Sequence, residues 1–60
     1  MKRRELIAKI EAAGAVLIRR GGKHDIYHNP RTGVTQPVPR HNEINEQLAR
    51  KIIRDLSQEP

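Results

Sequence analysis

The chain has 60 residues, with twelve Lys and Arg against seven Asp and Glu and no Cys, so its formal net charge is +5 and its pI is near 10.5. This length predicts one domain over residues 1–60, without disulfides or thiolate metal sites. Because the chain has no cysteines, we expect a cytoplasmic protein, or one stabilised by a partner. No stretch approaches the roughly 20 apolar residues of a membrane span. The positive charge favours nucleic acid, an anionic membrane or an acidic protein as partner.

Residues 3–13 are predicted to form the first helix, because apolar side chains recur there at helical spacing. These are Leu6, Ile7, Ile10 and Ala13. Gly14 suits the C′ stop. The helix start is unusual, since three cations at positions 2–4 lie at the positive end of the helix dipole without a capping side chain. These cations are either positioned for a polyanion or part of a frayed, solvated terminus.

Residues 15–20 are predicted to form the first strand, because β-branched Val16 and Ile18 fit a pleated sheet. Side chains alternate along a strand, which places Val16 and Ile18 on one face and Leu17 and Arg19 on the other. The double glycine that follows predicts a turn.

Two further strands are predicted over residues 24–28 and 34–38. The Asn-Pro-Arg-Thr-Gly sequence of residues 29–33 has strong turn chemistry and should join these strands as a hairpin. Pro37 and Pro39 cannot donate to a sheet ladder. The third strand is therefore expected at a sheet edge, or to end early.

The second helix is predicted to begin after Asn45, which suits an N-cap, with Glu46 and Gln47 in its first turn. The residues of its apolar face are Leu48, Ala49, Ile52, Ile53 and Leu56. Nothing is predicted to hold residues 57–60, which we expect to form a flexible tail. The α-β-β-β-α order indicates an α+β fold, in which a three-stranded antiparallel sheet carries both helices on one face.

Residues 21–24, Gly-Gly-Lys-His, form the candidate active site. Imidazole exchanges protons near neutral pH, so His24 is a candidate general base or acid. Glycine lets a ligand approach the backbone closely, here at Gly22. Phosphate could be held by Arg19, Arg20 and Lys23, which lie close by in the sequence. These groups are sufficient for RNA transesterification. The alternative is that His24 is an inert surface histidine beside a glycine turn.

Other arrangements are less consistent with the pattern. His24 and His28 would lie about 13 Å apart in a strand, which argues against a shared metal ion, and no metal or cofactor is expected. Asp25 should point to the face opposite His24. Tyr27 is expected to pack in the core, with a role in proton transfer or stacking as the alternative. Arg40 and His41 either bind phosphate or a partner, or only connect the third strand to the second helix.

Several short elements together resemble the HicA toxins of bacterial toxin–antitoxin pairs. They are Glu5-Leu6-Ile7, Ala13-Gly14, Gly21-Gly22-Lys23-His24 with Tyr27, Val38-Pro39-Arg40-His41, and Glu43-Ile44 before the amphipathic helix. Many family members carry Ser where this chain has Lys23, and a Ser or Thr near the position of Lys2.

The resemblance implies a fold like that of double-stranded-RNA-binding domains and a metal-independent mRNA interferase with His24 as the catalytic histidine. It also implies a HicB-type antitoxin that blocks the His24 site. Two other functions remain open from the residues alone. One is a non-catalytic module that binds double-stranded RNA by its shape, and the other is a basic domain that binds only an acidic protein.

Overall fold

The structure, a computed structural model, describes residues 1–57. Its elements in chain order are α1 (Arg3–Ala12), β1 (Val16–Arg20), β2 (His24–Asn29), β3 (Val34–Pro39) and α2 (Glu46–Ser57). The predicted α-β-β-β-α order is confirmed. Of the expected tail, Ser57 is instead the last residue of α2, and residues 58–60 lie outside the described part of the chain.

The three strands form one antiparallel sheet in the order β1-β2-β3, with β3 at an edge as its prolines predicted. Along β2 the buried side chains alternate with more exposed ones: Asp25, Tyr27 and Asn29 face the helices, and His24 and Ile26 face the open side of the sheet. Both helices cover the face that carries Tyr27. The buried core there comprises Leu6, Ile10, Ala15, Tyr27, Val38, Ile44, Ala49, Ile52 and Leu56.

β1 contains a bulge that the sequence did not reveal. Leu17 pairs with Tyr27, but Arg19 pairs with the next residue of β2, Ile26, so Ile18 is an extra residue in the ladder. Because cross-strand partners share a face, Leu17 lies on the helix side and Arg19 on the open side. The prediction that these two side chains share a face is therefore wrong, since an inserted residue shifts the alternation by one.

Residues 1–3, which we call the N-terminal strap, run beside the link between β3 and α2. The Arg3 N–H donates to the Asn42 carbonyl at 2.9 Å, and the Ile44 N–H donates to the Met1 carbonyl at 2.8 Å. Lys2 forms an antiparallel bridge with Glu43. As predicted, no side chain caps α1. The backbone hydrogen bonds of the strap hold the start of the helix in place, so the alternative prediction of a frayed terminus is wrong.

The other helix boundaries follow the predicted local chemistry. Gly14 has φ +106, and the N–H groups of Gly14 and Ala15 donate to the carbonyls of Glu11 and Ile10, as in a Schellman motif. At α2, the Asn45 side-chain oxygen accepts the N–H groups of the second and third helical residues at 2.9 and 3.2 Å. Local sequence thus determines where α1 stops and where α2 starts.

Asn29 joins three elements at the hairpin end of β2. Its side chain is fully buried, and its amide donates to the Ala13 carbonyl at 2.9 Å and to the Leu56 carbonyl at 2.6 Å. Its side-chain oxygen accepts the Arg31 N–H at 2.9 Å. Asn29 therefore fixes the C-terminal ends of both helices to the central strand. Within residues 1–57, neither helix has the length and apolar character that crossing a membrane requires.

Candidate functional site

His24 is the first residue of β2 and is exposed on the open side of the sheet. Its position is set by a tight turn, because the Gly21 N–H donates to the His24 carbonyl at 2.8 Å. The turn leaves Gly22 and Lys23 exposed at the end of the sheet. An imidazole in this position is accessible to a large substrate such as a nucleic acid strand.

The two glycines of this turn have different roles. A Cβ at Gly21 would collide with the carbonyl oxygen of His24, so the turn requires glycine at this position. A Cβ at Gly22 would meet no atom within 4 Å. Packing does not explain Gly22, and its exposed backbone is open to a close approach by a ligand.

The sheet register brings Arg40 to the same end as His24. His24 pairs with Pro39, and the N–H of the next residue, Arg40, donates to the Lys23 carbonyl at 3.3 Å. His41 follows and is exposed. Lys23, His24 and Arg40, which the sequence analysis took from two separate segments, are thus neighbours along two paired backbones.

The two arginines of β1 lie on opposite sides of the sheet. Arg19 pairs with Ile26, on the side where His24 is exposed, whereas Arg20 pairs with Asp25, which faces the helices. The bulge at Ile18 produces this arrangement. Of these two arginines, Arg19 therefore shares the open side with the candidate catalytic residue.

Asp25 forms an ion cluster that the sequence analysis missed. Its side-chain oxygen Oδ2 lies 2.8 Å from Arg3 Nη2, and Oδ1 accepts Arg40 Nε at 2.8 Å and lies 2.8 Å from Arg40 Nη2. We call Asp25, Arg3 and Arg40 the Asp25 cluster. As expected, Asp25 points away from His24. The sequence contained one signal of this cluster, because Asp25 is the only acidic residue between Glu11 and Glu43 and several arginines lie in that stretch.

The Asp25 cluster holds its carboxylate in the charged form. The hydrogen bond from Arg40 lowers the pKa of Asp25, burial works against this change, and the charges of Arg40, Arg3 and Arg20 add to the lowering. The cluster has two guanidinium groups for one carboxylate, and it therefore carries a net positive charge beside the candidate site.

The cations at the start of α1 adjoin this end of the molecule. Lys2, Arg3, Arg4 and Asn42 line a depression of about 330 Å³. Arg3 is engaged there by protein groups, since its Nε donates to the Pro39 carbonyl at 2.8 Å. Arg4 adds positive charge at the surface, in agreement with a polyanion near this helix start, whereas the charge of Lys2 is partly offset by Glu43, whose Oε1 lies 3.9 Å from Lys2 Nζ.

Tyr27 and His28, which the sequence analysis also considered, both contact other residues of the protein. Tyr27 is buried in the core, and burial raises its pKa above the usual value, so its predicted packing role is confirmed. On the open side, His28 Nδ1 lies 2.8 Å from Thr35 Oγ1. In the described part of the chain, no group of three or more His, Cys, Asp or Glu side chains could hold a metal ion.

Comparison with known proteins gives a family match. A family model described as HicA toxin of bacterial toxin–antitoxin matches residues 3–57. No curated protein and no solved structure matches the chain. The match includes α1, the whole sheet and α2, and with them every residue of the candidate site.

Proposed function

Because this chain belongs to the HicA family of bacterial toxin–antitoxin toxins, we propose that it is a metal-independent ribonuclease. Its 60 residues would act as one domain that cleaves mRNA with His24 as general acid/base and so arrests translation. One observation carries the proposal: His24 is exposed at the start of β2, with Lys23 and Arg40 joined by a backbone hydrogen bond beside it.

In the proposed reaction, the His24 imidazole takes the proton of a ribose 2′-hydroxyl. The 2′ oxygen then attacks the adjacent phosphorus, a 2′,3′-cyclic phosphate forms, and the bond to the 5′ oxygen of the next nucleotide breaks. Solvent at this exposed site protonates the departing oxygen. Cations near the phosphate stabilise the negative charge that develops in the transition state.

The RNA would cross the His24 end of the sheet. We assign phosphate and backbone contacts to Arg19, Arg20, Gly22, Lys23, Arg40 and His41. The exposed backbone at Gly22 supports close approach of the RNA strand. The position of Arg19 on the open side supports an RNA contact on the same face as His24. Arg20 would act at longer range, since its cross-strand partner Asp25 faces the helices.

A toxin of this family has an antitoxin partner. We propose that the partner is a HicB-type protein that covers His24 and so blocks RNA access. Two properties support this: the net charge of +5 favours an acidic partner, and the exposed turn at residues 21–24 offers a surface that a partner can cover.

The test is incubation of the purified protein with a long RNA in the presence of chelator, wild type beside His24→Ala. We expect the substitution to reduce the cleavage rate by roughly 10²- to 10⁴-fold, with unchanged thermal unfolding and RNA affinity, because His24 is exposed and has no packing role. Equal cleavage by the two proteins would refute the assignment.

Two other results would change the proposal. Loss of wild-type cleavage in chelator would indicate a metal-dependent reaction. Salt-sensitive binding to duplex RNA without any cleavage would favour the non-catalytic double-stranded-RNA-binding module, the alternative that the α-β-β-β-α fold also supports.

A further inference from the structure

β1 is an edge strand whose apolar side chains remain exposed. In the order β1-β2-β3, β1 pairs with β2 on one side only, and all five of its residues are exposed. The exposed fractions of Val16, Leu17 and Ile18 are 48%, 37% and 56%. Leu17 lies on the helix side, but α2 packs against β2 and β3. Packing within residues 1–57 therefore does not account for three consecutive apolar residues at the surface.

The two edges of the sheet differ in their capacity to accept another strand. An edge strand presents unpaired backbone N–H and C=O groups, to which an extended segment of another chain can pair. β3 is unsuited to this, because Pro37 and Pro39 lack an N–H. β1 contains no proline. β1 is therefore the edge at which the sheet can be extended.

Arg19 and Arg20 give this edge a positive charge that the fold does not neutralise. Arg20 pairs across the strands with Asp25, but Arg3 and Arg40 bind the two oxygens of Asp25. β1 itself contains no acidic residue. In the described part of the chain, neither Arg19 nor Arg20 forms an ion pair.

The cations of α2 show the opposite arrangement. Arg50 Nε lies 3.5 Å from Glu46 Oε2, and Lys51 Nζ and Arg54 Nε lie 2.8 and 3.7 Å from the carboxylate of Asp55. Each of these cations has a carboxylate within its own helix. The exposed cations of α2 are thus matched inside the chain, whereas those of β1 require an anion from outside.

From these features we infer that β1 is a docking edge for an extended, acidic segment of the antitoxin, which adds a fourth strand to the sheet. The inference rests on the proposed antitoxin partner. Apolar side chains of the segment would cover Val16 and Ile18, and its Asp or Glu side chains would pair with Arg19 and Arg20. The bulge at Ile18 increases the local twist, so the added strand would be short.

Two other occupants fit β1 less well. RNA could bind the arginines, but it offers neither a strand backbone nor aliphatic side chains to the apolar residues. A second copy of this chain would bring Arg19 and Arg20 of both copies into one interface, and β1 supplies no carboxylate to compensate. An acidic strand satisfies the backbone, the apolar side chains and the charge together.

The position of β1 links docking to the blocking of RNA. Arg19 lies on the open side with His24, and β1 leads directly into the turn at residues 21–24. Carboxylates that pair with Arg19 and Arg20 would occupy two of the proposed RNA contacts. Docking on β1 and RNA binding should therefore exclude each other.

The first test compares Ile18→Gln with Leu48→Gln in binding to purified HicB-type antitoxin, measured by calorimetry without RNA. Leu48 is the matched control, because it is an apolar residue with a similar exposed fraction, 41%, but lies on α2. An unpaired amide in the interface should lower the affinity of Ile18→Gln about 10- to 100-fold, and Leu48→Gln should bind like the wild type. Equal affinity of Ile18→Gln and the wild type would overturn the inference, as would an equal loss in Leu48→Gln.

Arg20→Gln and Arg50→Gln form a second matched pair. Each removes one arginine, but Arg50 already has Glu46 as its partner. We expect Arg20→Gln to bind the antitoxin about two- to fivefold more weakly than Arg50→Gln does, with the difference disappearing at high salt. Equal binding of the two variants would remove the charge match on which the inference depends.

Amide hydrogen exchange of the wild type, free and in the complex, tests the backbone pairing directly. The antitoxin should slow exchange at alternate amides of β1 and leave β3 unchanged. Unchanged exchange at β1, or slower exchange at β3 instead, would overturn the inference. Failure of the wild type to bind the antitoxin would refute the proposed partner together with it, whereas failure to cleave RNA would refute only the ribonuclease.

Discussion

β2 has a buried polar side chain near each of its ends, and the two ends are built in opposite ways. Asn29 is neutral and fully buried, and its amide binds the Ala13 and Leu56 carbonyls. Asp25 is charged and 8% exposed, and both of its partners are arginine side chains. One end is closed by neutral hydrogen bonds, and the other is held by an ion cluster next to an exposed histidine.

The difference separates stability from function along a single strand. The hydrogen bonds of Asn29 satisfy carbonyls at the C-terminal ends of both helices, which no helical N–H can reach, and no side-chain donor is left for a ligand. The Asp25 cluster carries a net positive charge, and the Arg40 side chain in it is 44% exposed. We therefore expect substitutions at the Asn29 end to change unfolding alone, and those at the His24 end to change cleavage, with or without a change in stability.

The largest change in stability is expected for Asn29→Ala. It removes the amide donors from the buried Leu56 carbonyl and the partly buried Ala13 carbonyl and leaves a small cavity, so we expect a loss of about 2–4 kcal/mol in the free energy of unfolding. Urea unfolding measures this loss. Thr35→Ala, an exposed change on the other side of the sheet, should stay within about 0.5 kcal/mol of the wild type.

The comparison of the two ends fails if Asn29→Ala is as stable as the wild type. It also fails if the fraction of Asn29→Ala that remains folded cleaves RNA more slowly than the wild type, because Asn29 would then influence the His24 end as well.

A smaller effect is expected for Gly21→Ala, at the other end. The new Cβ would collide with the His24 carbonyl and the turn must shift, so we expect a loss of about 1–3 kcal/mol together with reduced cleavage. Gly22→Ala is the matched change, since its Cβ would enter open space. Its stability should stay within about 0.5 kcal/mol of the wild type, while RNA affinity falls, because the methyl group blocks close approach.

Thermal unfolding and RNA binding of both glycine variants test this prediction. Equal RNA affinity of Gly22→Ala and the wild type would remove Gly22 from the RNA contacts. A fully stable Gly21→Ala would show that the turn does not need glycine there.

The smallest effect is expected in the pH dependence of the free energy of unfolding in acid. The pKa of Asp25 is lowered in the folded chain, chiefly by the hydrogen bond from Arg40, from an ordinary value of 3.8. A group with a lowered folded pKa stabilises the fold above its ordinary pKa, and this contribution is lost as pH falls through the folded value. The stability difference between wild type and Asp25→Asn should therefore be full near neutral pH and disappear in strong acid.

Urea unfolding of wild type, Asp25→Asn and Asn29→Ala between about pH 7 and about pH 2 measures this dependence. The loss caused by Asn29→Ala should not follow the Asp25 titration, because an asparagine side chain does not titrate. If the difference due to Asp25 persists unchanged in strong acid, its charge does not contribute to folding.

The sequence was sufficient for features that depend on neighbouring residues. Gly14 and Asn45 marked helix boundaries because their backbone and side-chain chemistry acts within a few residues. The turn at residues 29–33 predicted the hairpin, and period-2 alternation along β2 placed His24 and Asp25 on opposite faces. The element order and the helix-covered sheet face follow from such local patterns.

Features that depend on long-range pairing could not be predicted. The bulge at Ile18 depends on the register between β1 and β2, so it reversed the expected face of Leu17 relative to Arg19. The partners of Asp25 are 22 and 15 residues away. Asn29 was recognised only as a turn residue, because its bonds to the helix ends require the packed fold. The geometry of the site arises from these distant contacts.

The N-terminal strap also influences the order of folding. Its contact between Met1 and Ile44 closes a loop of 43 residues in sequence separation, and such non-local contacts carry an entropic penalty before they contribute stability. Arg3 reaches Asp25 from this strap. The chain must therefore be synthesised at least to residue 44 before the strap can pair with it and bring Arg3 to the Asp25 cluster. A partly synthesised chain would contain His24 without a complete Asp25 cluster.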